Sequence, residues 1–522
     1  MVPRIRLLDC TLRDGGHINQ GRFGETVIRN TIEKLAEAGV DIIEAGFLWD
    51  QIYGPDVARY YTIADVKRIL PSNLGHSKIS LMADFIDLDH LEPYDGTVEF
   101  IRLSFKRHRL DWGLQTAKVL MDKGYKVFIN PVNNNVYSDE EYIQVLQKVN
   151  ELHPYGFSIV DTFGVMRLRD FAQRYELVEN NLLPDITIGA HFHENLGLAY
   201  SLAQHFTQIA KPTRNIVIDG SLLGMGRVPG NLCMEQIMDY MNDQFGTHYA
   251  TAPVYDAIDD YIAPIKAKCP WGYAIPYALS AKYYLHRTYA EYLMEKNRLK
   301  TKDIQRILSQ VDPGAAETFD GEYIEKLYQD YMRMEYDDSG DRTRLADQLR
   351  KYERFVVIAP GRSIVSQVSE IKQAIEADTC VMAVNFNSDV VGIPANYIFL
   401  TNMKRYDGVR SRSDNTRLIV TSNLIRDIQD QDDTLSYHEL TSFRDEYCDD
   451  STLMLLNFLT KIGVKAVTLA GFDGIINGTE NYYDAVFDRH GEKHPQSEKV
   501  RRILDRSFGN LKRCFLTQSQ YR

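Results

Sequence analysis

Arg13-Asp14-Gly15-Gly16-His17 follows one predicted strand, and His191-Phe192-His193 closes another far downstream. An aspartate oxygen and two imidazole nitrogens suit a divalent cation, and residues i and i+2 of a strand share a face, so both rings can reach one ion. Three protein ligands leave coordination positions for water or for a bidentate 2-oxo acid. An ion so held is a Lewis acid, suited to the charge that develops when a 4-hydroxy-2-oxo acid is cleaved to pyruvate and an aldehyde. The Arg13 guanidinium is a second fixed positive partner for the same oxygen. His17, with an ordinary imidazole pKa near ~6.5, is the candidate base for the 4-hydroxyl proton. Tyr277, in Gly272-Tyr273-Ala274-Ile275-Pro276-Tyr277, is a further candidate proton donor or substrate gate, although one tyrosine among 32 is not singled out by composition.

These residues need strands to position them. β-rich runs recur at Ile5–Asp9, Asp41–Ala45, Ile79–Phe85, Val98–Ser104, Lys126–Pro131, Phe157–Asp161, Ile186–His191 and Asn215–Asp219. Helical patterns with apolar residues three and four apart, such as Glu25–Ala38, Gly113–Lys123, Asp139–Leu152 and Asp170–Leu182, lie between them. Alternating units of this kind over roughly 240 residues predict an α/β fold, a (β/α)8 TIM barrel. Asp14, Glu44, Asp84, Asp161, His191, His193 and Asp219 fall at or just beyond predicted strand ends, where barrel enzymes carry their sites. Taken singly, Glu44 or Asp84 reads more readily as a helix cap or a solvated loop residue.

The barrel accounts for residues 1–250 of a chain of 522. Residues 251–345 read as a helical extension rich in Tyr and Lys, with a flexible boundary expected at Asp337-Asp338-Ser339-Gly340-Asp341-Arg342. Residues 346–522 read as a Rossmann-like open parallel sheet with strands at Phe355–Ala359, Val381–Val384, Tyr397–Leu400, Leu418–Ser422 and Val467–Ala470. Ligands of such sheets lie beyond the strands' carboxyl ends, which makes Gly361, Ser363, Asn385 and Asn387 pocket candidates. No complete GxGxxG or Walker pattern accompanies them, so Pro360-Gly361 reads equally well as a plain turn.

Composition narrows the function. The net charge of −12 argues against a nucleic-acid or membrane-surface partner and favours a small molecule. Apolar runs are too short for a membrane span. Six scattered cysteines without a CxxC pair indicate neither a zinc ribbon nor a disulfide framework. No signal-peptide pattern follows Met1, and the expected location is the cytoplasm.

Three motifs carry a family resemblance: Asp9-Cys10-Thr11-Leu12-Arg13-Asp14-Gly15-Gly16-His17; His191-Phe192-His193-Glu194-Asn195-Leu196-Gly197; and Asp219-Gly220-Ser221-Leu222-Leu223-Gly224-Met225-Gly226 with Gly230-Asn231 and Glu235. In order and spacing they resemble the metal-dependent pyruvate aldolases of the 4-hydroxy-2-oxovalerate aldolase type. HMG-CoA lyase and isopropylmalate synthase are more distant relatives. The resemblance implies a Mn2+ or Mg2+ ion on Asp14, His191 and His193 with Asn231 beside it, Arg13 stabilising the enolate, His17 as base, and Tyr277 as the aldolase tyrosine. It also implies a 2-oxo acid and an aldehyde as substrates, and a homodimer. Gly16-His17 favours the aldolases over the acyl-CoA condensing relatives, which usually carry Glu-Gln there. Glu194 and the run Gly226-Arg227-Val228-Pro229-Gly230-Asn231 depart from the pattern, and Arg227 is a candidate for an anionic substrate group.

The last third faintly resembles sialyltransferase-like Rossmann domains through Ala359-Pro360-Gly361-Arg362-Ser363, Asn385-Phe386-Asn387, Gly471-Phe472-Asp473-Gly474, Asn477-Gly478 and His494-Pro495-Gln496-Ser497. That resemblance implies a nucleotide or nucleotide-sugar on Gly361, Ser363, Asn385 and Asn387, with His494 as a catalytic candidate. Two alternatives to an aldolase stay open: condensation of an acyl-CoA with a 2-oxo acid, and a glycosyltransferase or nucleotide-binding activity in the C-terminal region.

Overall fold

A computed structural model describes residues 4–84, 90–444, 446–475, 481–484 and 496–522. The chain divides into two compact units, one running to Arg287 and including Ala316–Thr318, the other comprising Thr288–Ala315 and Phe319–Arg522. The helical stretch after the barrel is thus apportioned between them. The polar run at 337–342 opens a helix, Ser339–Leu349, instead of a flexible linker. Asp338 is buried, accepts a hydrogen bond from Ser436 N at 3.0 Å and pairs with Arg342, which fixes this segment.

The first unit is a closed (β/α)8 barrel of parallel strands: β1 (Arg4–Asp9), β2 (Ile42–Leu48), β3 (Lys78–Asp84), β4 (Phe100–Phe105), β5 (Lys126–Pro131), β6 (Gly156–Asp161), β7 (Thr187–Phe192) and β8 (Asn215–Gly220). β1 pairs with β8 from Arg4↔Asn215 to Asp9↔Gly220 and with β2 at Leu8↔Ile42, which closes the ring. A two-residue strand, Arg59–Tyr60, adds to β2. Around the barrel lie α1 (Glu25–Glu37), α2 (Ile63–Ile69), α3 (Leu110–Asp122), α4 (Asp139–Leu152), α5 (Leu168–Asn181), α6 (Ala199–Ile209) and α7 (Met234–Phe245). α4 starts at a capping box in which Ser138 and Glu141 satisfy each other's backbone N–H groups. Its buried Tyr142, Val145, Leu146 and Val149 then recur three and four apart, the stripe a helix needs to cover a sheet.

Strand parity builds two cores and places the polar layer. Leu7, Ile43, Ile101, Leu103, Val127, Ile129, Ile216 and Ile218 join the large cluster that includes helix residues. Leu8, Ile42, Phe100, Phe128 and Val217 form a separate, smaller cluster with Cys10. Two residues after members of this inner set, on the same strand faces, stand Glu44, Arg102, Asn130 and Asp219, all buried. Glu44 is therefore not at a strand end as its sequence context suggested. β2 runs on to Leu48, which leaves Glu44 inside the strand and inside the barrel.

In the second unit, β9 (Arg354–Ile358), β10 (Thr379–Val384), β11 (Tyr397–Leu400), β12 (Arg417–Thr421), β13 (Asp433–Leu435), β14 (Ala466–Ala470) and β15 (Lys512–Phe515) make one parallel sheet in the order β13-β12-β11-β10-β9-β14-β15. The winding reverses between β9 and β14. Phe85, Asn477, Gly478, His494 and Pro495, which figured in the sequence reading, lie outside the described residues.

Candidate active site

Arg13 to His17 do not form an extended loop. Thr11–Asp14 and Gly16–Asn19 are two single helical turns that present Asp14 and His17 to the same side. Thr11 Oγ1 and N both donate to the buried Asp9 carboxylate at 2.9 Å, and Thr11 Oγ1 accepts from Leu222 N at 2.8 Å. These bonds tie the turn after β1 to the segment after β8.

His191 ends up near the end of β7, and His193 sits two residues on, bridged to Asn231 across an isolated antiparallel pair. One ligand atom each from Asp14, His191 and His193 lie within 4.8 Å of one another, all three residues being buried. Both imidazoles are oriented by acceptors behind them. His191 Nδ1 meets Asp219 Oδ2 at 3.1 Å, and His193 Nδ1 meets the Asp161 carbonyl at 2.9 Å. A carboxylate and a carbonyl can only accept, so the proton lies on each Nδ1 and the lone pair on each Nε2.

Two buried atoms here have no hydrogen-bond partner: His193 Nε2 and Asn231 Oδ1. The amide of Asn231 is fixed by its Nδ2, which donates to Asp14 Oδ2 at 2.7 Å and to the Met225 carbonyl at 3.3 Å. A carboxylate oxygen, two imidazole nitrogens and an amide oxygen, two of them orphaned in the interior, form a donor set that fits a divalent cation. Gly226 is required for this approach. A Cβ there would stand 2.2 Å from Asn231 Nδ2 and 2.4 Å from Asp14 Oδ2.

Beneath these ligands runs an alternating chain of buried charge. Arg13 donates through Nη1 to Asp14 at 2.5 Å and through Nε to Glu44 at 2.7 Å. Arg102 reaches Glu44 at 3.4 Å and Asp219 at 2.5 Å. Three carboxylates face two guanidinium groups, and the excess negative charge lies at the histidines, where a cation would be welcome. Burial opposes ionisation of Asp14, but Arg13 and the surrounding imidazoles hold its carboxyl well below the usual range. Burial lowers His193 to about 3, with His191 adding to the shift, which keeps it a neutral donor.

The chain borders a cavity of about 630 Å³ lined by Asp14, His191 and His193 with Arg13, His17, Asp84 and Arg227, and by the apolar Phe47, Met82, Val132 and Val160. His17 keeps 36% of its side chain exposed and stands 3.9 Å from Asp14. Crowding away from water, together with Arg227 and Arg13, lowers it to about 4 against the opposing pull of Asp14. Burial raises Asp84 to about 6. Tyr277 is buried in α8 (Ile275–Lys282) and is not among the residues lining this cavity.

Residues 110–258 match the HMGL-like family. The barrel therefore contains an HMGL-like domain. Among curated proteins, this chain is 25% identical over 243 residues to 4-hydroxy-2-oxovalerate aldolase of Geobacillus genomosp. 3, covering 45% of this chain and 69% of that protein. It is 24% identical over 262 residues to 2-isopropylmalate synthase 1 of Caldanaerobacter subterraneus, covering 47% and 64%. The crystal structure of HMG-CoA lyase from Brucella melitensis superposes with a TM-score of 0.41 at 14% identity, over 51% of this chain and 99% of that one. The curated relatives are thus named as aldolases and as synthases, and the aldolase-named ones together with the HMGL-like match support a lyase or related enzyme. Among the described residues, no helix is long and apolar enough to cross a membrane.

Arg102 is a site residue that no sequence motif singles out. Its signal was a lone arginine within Phe100-Ile101-Arg102-Leu103-Ser104-Phe105, a strand otherwise fit only for the interior.

In the second unit, Gly361 and Asn385 line a cavity of about 920 Å³, open to solvent, at the carboxyl ends of β9, β10 and β14. Ser363 and Asn387 do not line it. Ser363 donates through N and Oγ to Asp473 at 2.8 and 2.5 Å, and Asn387 caps a short turn by accepting from Asp389 N at 3.2 Å. Asn385 has a positive φ of 62°, and its amide bonds Thr401 N and Ser451 Oγ, each at 2.8 Å.

Proposed function

We propose that the barrel is a divalent-metal-dependent aldolase that makes or breaks the bond between pyruvate C3 and an aldehyde carbon. The observation that carries this reading is the convergence of Asp14, His191 and His193 on the cavity that also holds Arg13 and His17, with Asn231 bonded to Asp14 and with His193 Nε2 and Asn231 Oδ1 buried without partners. Those four side chains would hold Mn2+ or Mg2+, which supplies Lewis-acid polarisation of the 2-oxo acid's oxygens.

The protein's own groups do the rest. Arg13, clamped by Glu44 and Asp14, cannot swing away, so its fixed charge faces the oxygen that becomes negative as the bond breaks. His17 is neutral at physiological pH and can take the 4-hydroxyl proton as the C3–C4 electron pair passes to the pyruvate half. Pyruvate C3 is then reprotonated, and the products are pyruvate and an aldehyde. Phe47, Met82, Val132 and Val160 exclude water around the reacting carbons. Incubation with Mn2+ and a panel of 4-hydroxy-2-oxo acids, followed by assay of pyruvate, tests the proposal. Release of free CoA thiol from acyl-CoA and a 2-oxo acid, without any pyruvate release in that panel, would move the assignment to a condensing enzyme.

A second reading concerns the C-terminal unit, which we infer to bind a nucleotide or nucleotide-linked sugar. What supports it is a cavity lying where the strand order of an open parallel sheet reverses, the usual place for such ligands. A nucleotide and nucleotide-sugar panel raising the melting temperature of wild type but not of Asn385→Ala would support it. No shift with any member would end it. Activity that survives Asp14→Asn and is lost in Asn385→Ala would make this unit the catalytic one.

A further inference from the structure

Arg227 differs from the other two guanidinium groups in the barrel cavity. Arg13 and Arg102 are each neutralised by two carboxylates. Arg227 also lines the cavity, yet it makes no ion pair among the described residues, and its Nε is buried without a hydrogen-bond partner. A shielded guanidinium nitrogen with no acceptor costs free energy that an anionic ligand would recover. The backbone is anchored, because Arg227 N donates to Asp14 Oδ2 at 3.1 Å. The main chain at Arg227 is therefore tied to the same carboxylate proposed to bind the metal.

Three cations act on this space together. Arg227, Arg287 and Lys106 all depress His286, which burial already lowers, and Arg227 and Lys106 both draw Asp84 down against its burial. Asp84 is the one acid of the lining with a buried unpartnered oxygen, and it forms no ion pair with Arg227. Arg13 and Arg102 already meet carboxylates in Asp14, Glu44 and Asp219. Of the three guanidinium groups lining the cavity, Arg227 is the one that meets no carboxylate among the described residues, which leaves its charge for an anionic group of the substrate.

We propose that the aldehyde half of the substrate carries an acidic group, a carboxylate or a phosphate, bound by Arg227. This inference rests on the aldolase reading and names the substrate class for it. The reaction stays balanced: the diacid or phosphorylated 4-hydroxy-2-oxo acid gives pyruvate and an acidic aldehyde, with one proton moved from the 4-hydroxyl and one delivered to C3.

The test runs the Mn2+-loaded full chain in the condensation direction with pyruvate and three aldehydes: propanal, succinic semialdehyde and glycolaldehyde phosphate. The ratio of kcat/KM for the acidic aldehydes over propanal should fall about tenfold to a hundredfold in Arg227→Gln, chiefly through KM, and recover in part in Arg227→Lys. The better of the two acidic aldehydes identifies the group. Equal losses for propanal and the acidic aldehydes would overturn the inference, since Arg227 would then serve the pyruvate half. So would a wild-type preference for propanal. Thermal shifts with succinate and with glycerol phosphate, recorded without added metal, give a readout independent of turnover. If no aldehyde condenses, the aldolase reading fails and these shifts decide the anion site: a stabilisation lost in Arg227→Gln upholds it, and no stabilisation of the wild type overturns it.

Discussion

The Nε2 atom of His193 stands 4.0 Å from Oδ2 of Asp14, and although it is buried, no hydrogen-bond partner meets it. Their ligand atoms face each other across a space bounded by His191 and Asn231. Protein stripped with chelator is expected to take up Mn2+ and to melt at a higher temperature when loaded. Ligand present at a hundredfold excess over Kd stabilises by about 2.7 kcal/mol. Metal analysis and calorimetry check this, and Asp14→Asn and His193→Ala should lose both effects.

Gly226→Ala tests the closeness of Asp14 and Asn231 without altering a ligand. The added methyl would stand 2.2 Å from Asn231 Nδ2, so the amide and the carboxylate must separate. Metal affinity is expected to drop about tenfold to a hundredfold, as when ligand-orienting groups are disturbed. Titration calorimetry with Mn2+ measures it, and an unchanged affinity would show that Asn231 is not needed at the ion.

Arg102→Met should destabilise the barrel by about 3 kcal/mol, because Glu44 and Asp219 each lose a partner inside the protein. Adding Asp219→Asn removes one of the stranded charges and should restore part of the loss. Urea denaturation of the single and double variants reads the difference. Additive losses in the pair would contradict direct coupling.

Asp9 gives a pH prediction. Burial raises its carboxyl from 3.8 to about 7, with Glu235 and Glu44 adding to the shift. Below 3.8 the folded and unfolded chains both hold the proton, and between 3.8 and about 7 only the folded chain keeps it. Stability from this group therefore falls as pH rises across that window and levels off above it. Asp9→Asn cannot ionise, so its denaturation midpoint should decline less than wild type between pH 5 and pH 8. An equal decline would mean that other groups set the slope.

The barrel strands were legible because they are buried on both faces and read as apolar runs, and the polar residues at or near their ends stood out against that background. Asp14, His191, His193, Arg13 and His17 could be nominated for that reason. Arg102 and the inward role of Glu44 could not, since a charge inside a strand is meaningful only once the partner strand is known. Thr11–Asp14 and Gly16–Asn19 were hidden as helical turns by Gly15-Gly16, which suggests a loop. In the C-terminal unit, Asp433–Leu435 and Lys512–Phe515 are short and partly charged, and they become strands only by pairing with β12 and β14. The run 337–342 reads as a flexible boundary for a similar reason, since the start of the helix Ser339–Leu349 within it depends on Asp338 bonding a residue far along the chain.

β1 has two neighbours, one close behind it in sequence and one more than two hundred residues away. Asp14 leaves the first of these strands, and Asn231 follows the last. A growing chain that has made only seven strands therefore has both histidines and no amide to complete their set. The four-group set and the closed ring therefore both wait for the last stretch of the barrel, β8 and the segment that follows it.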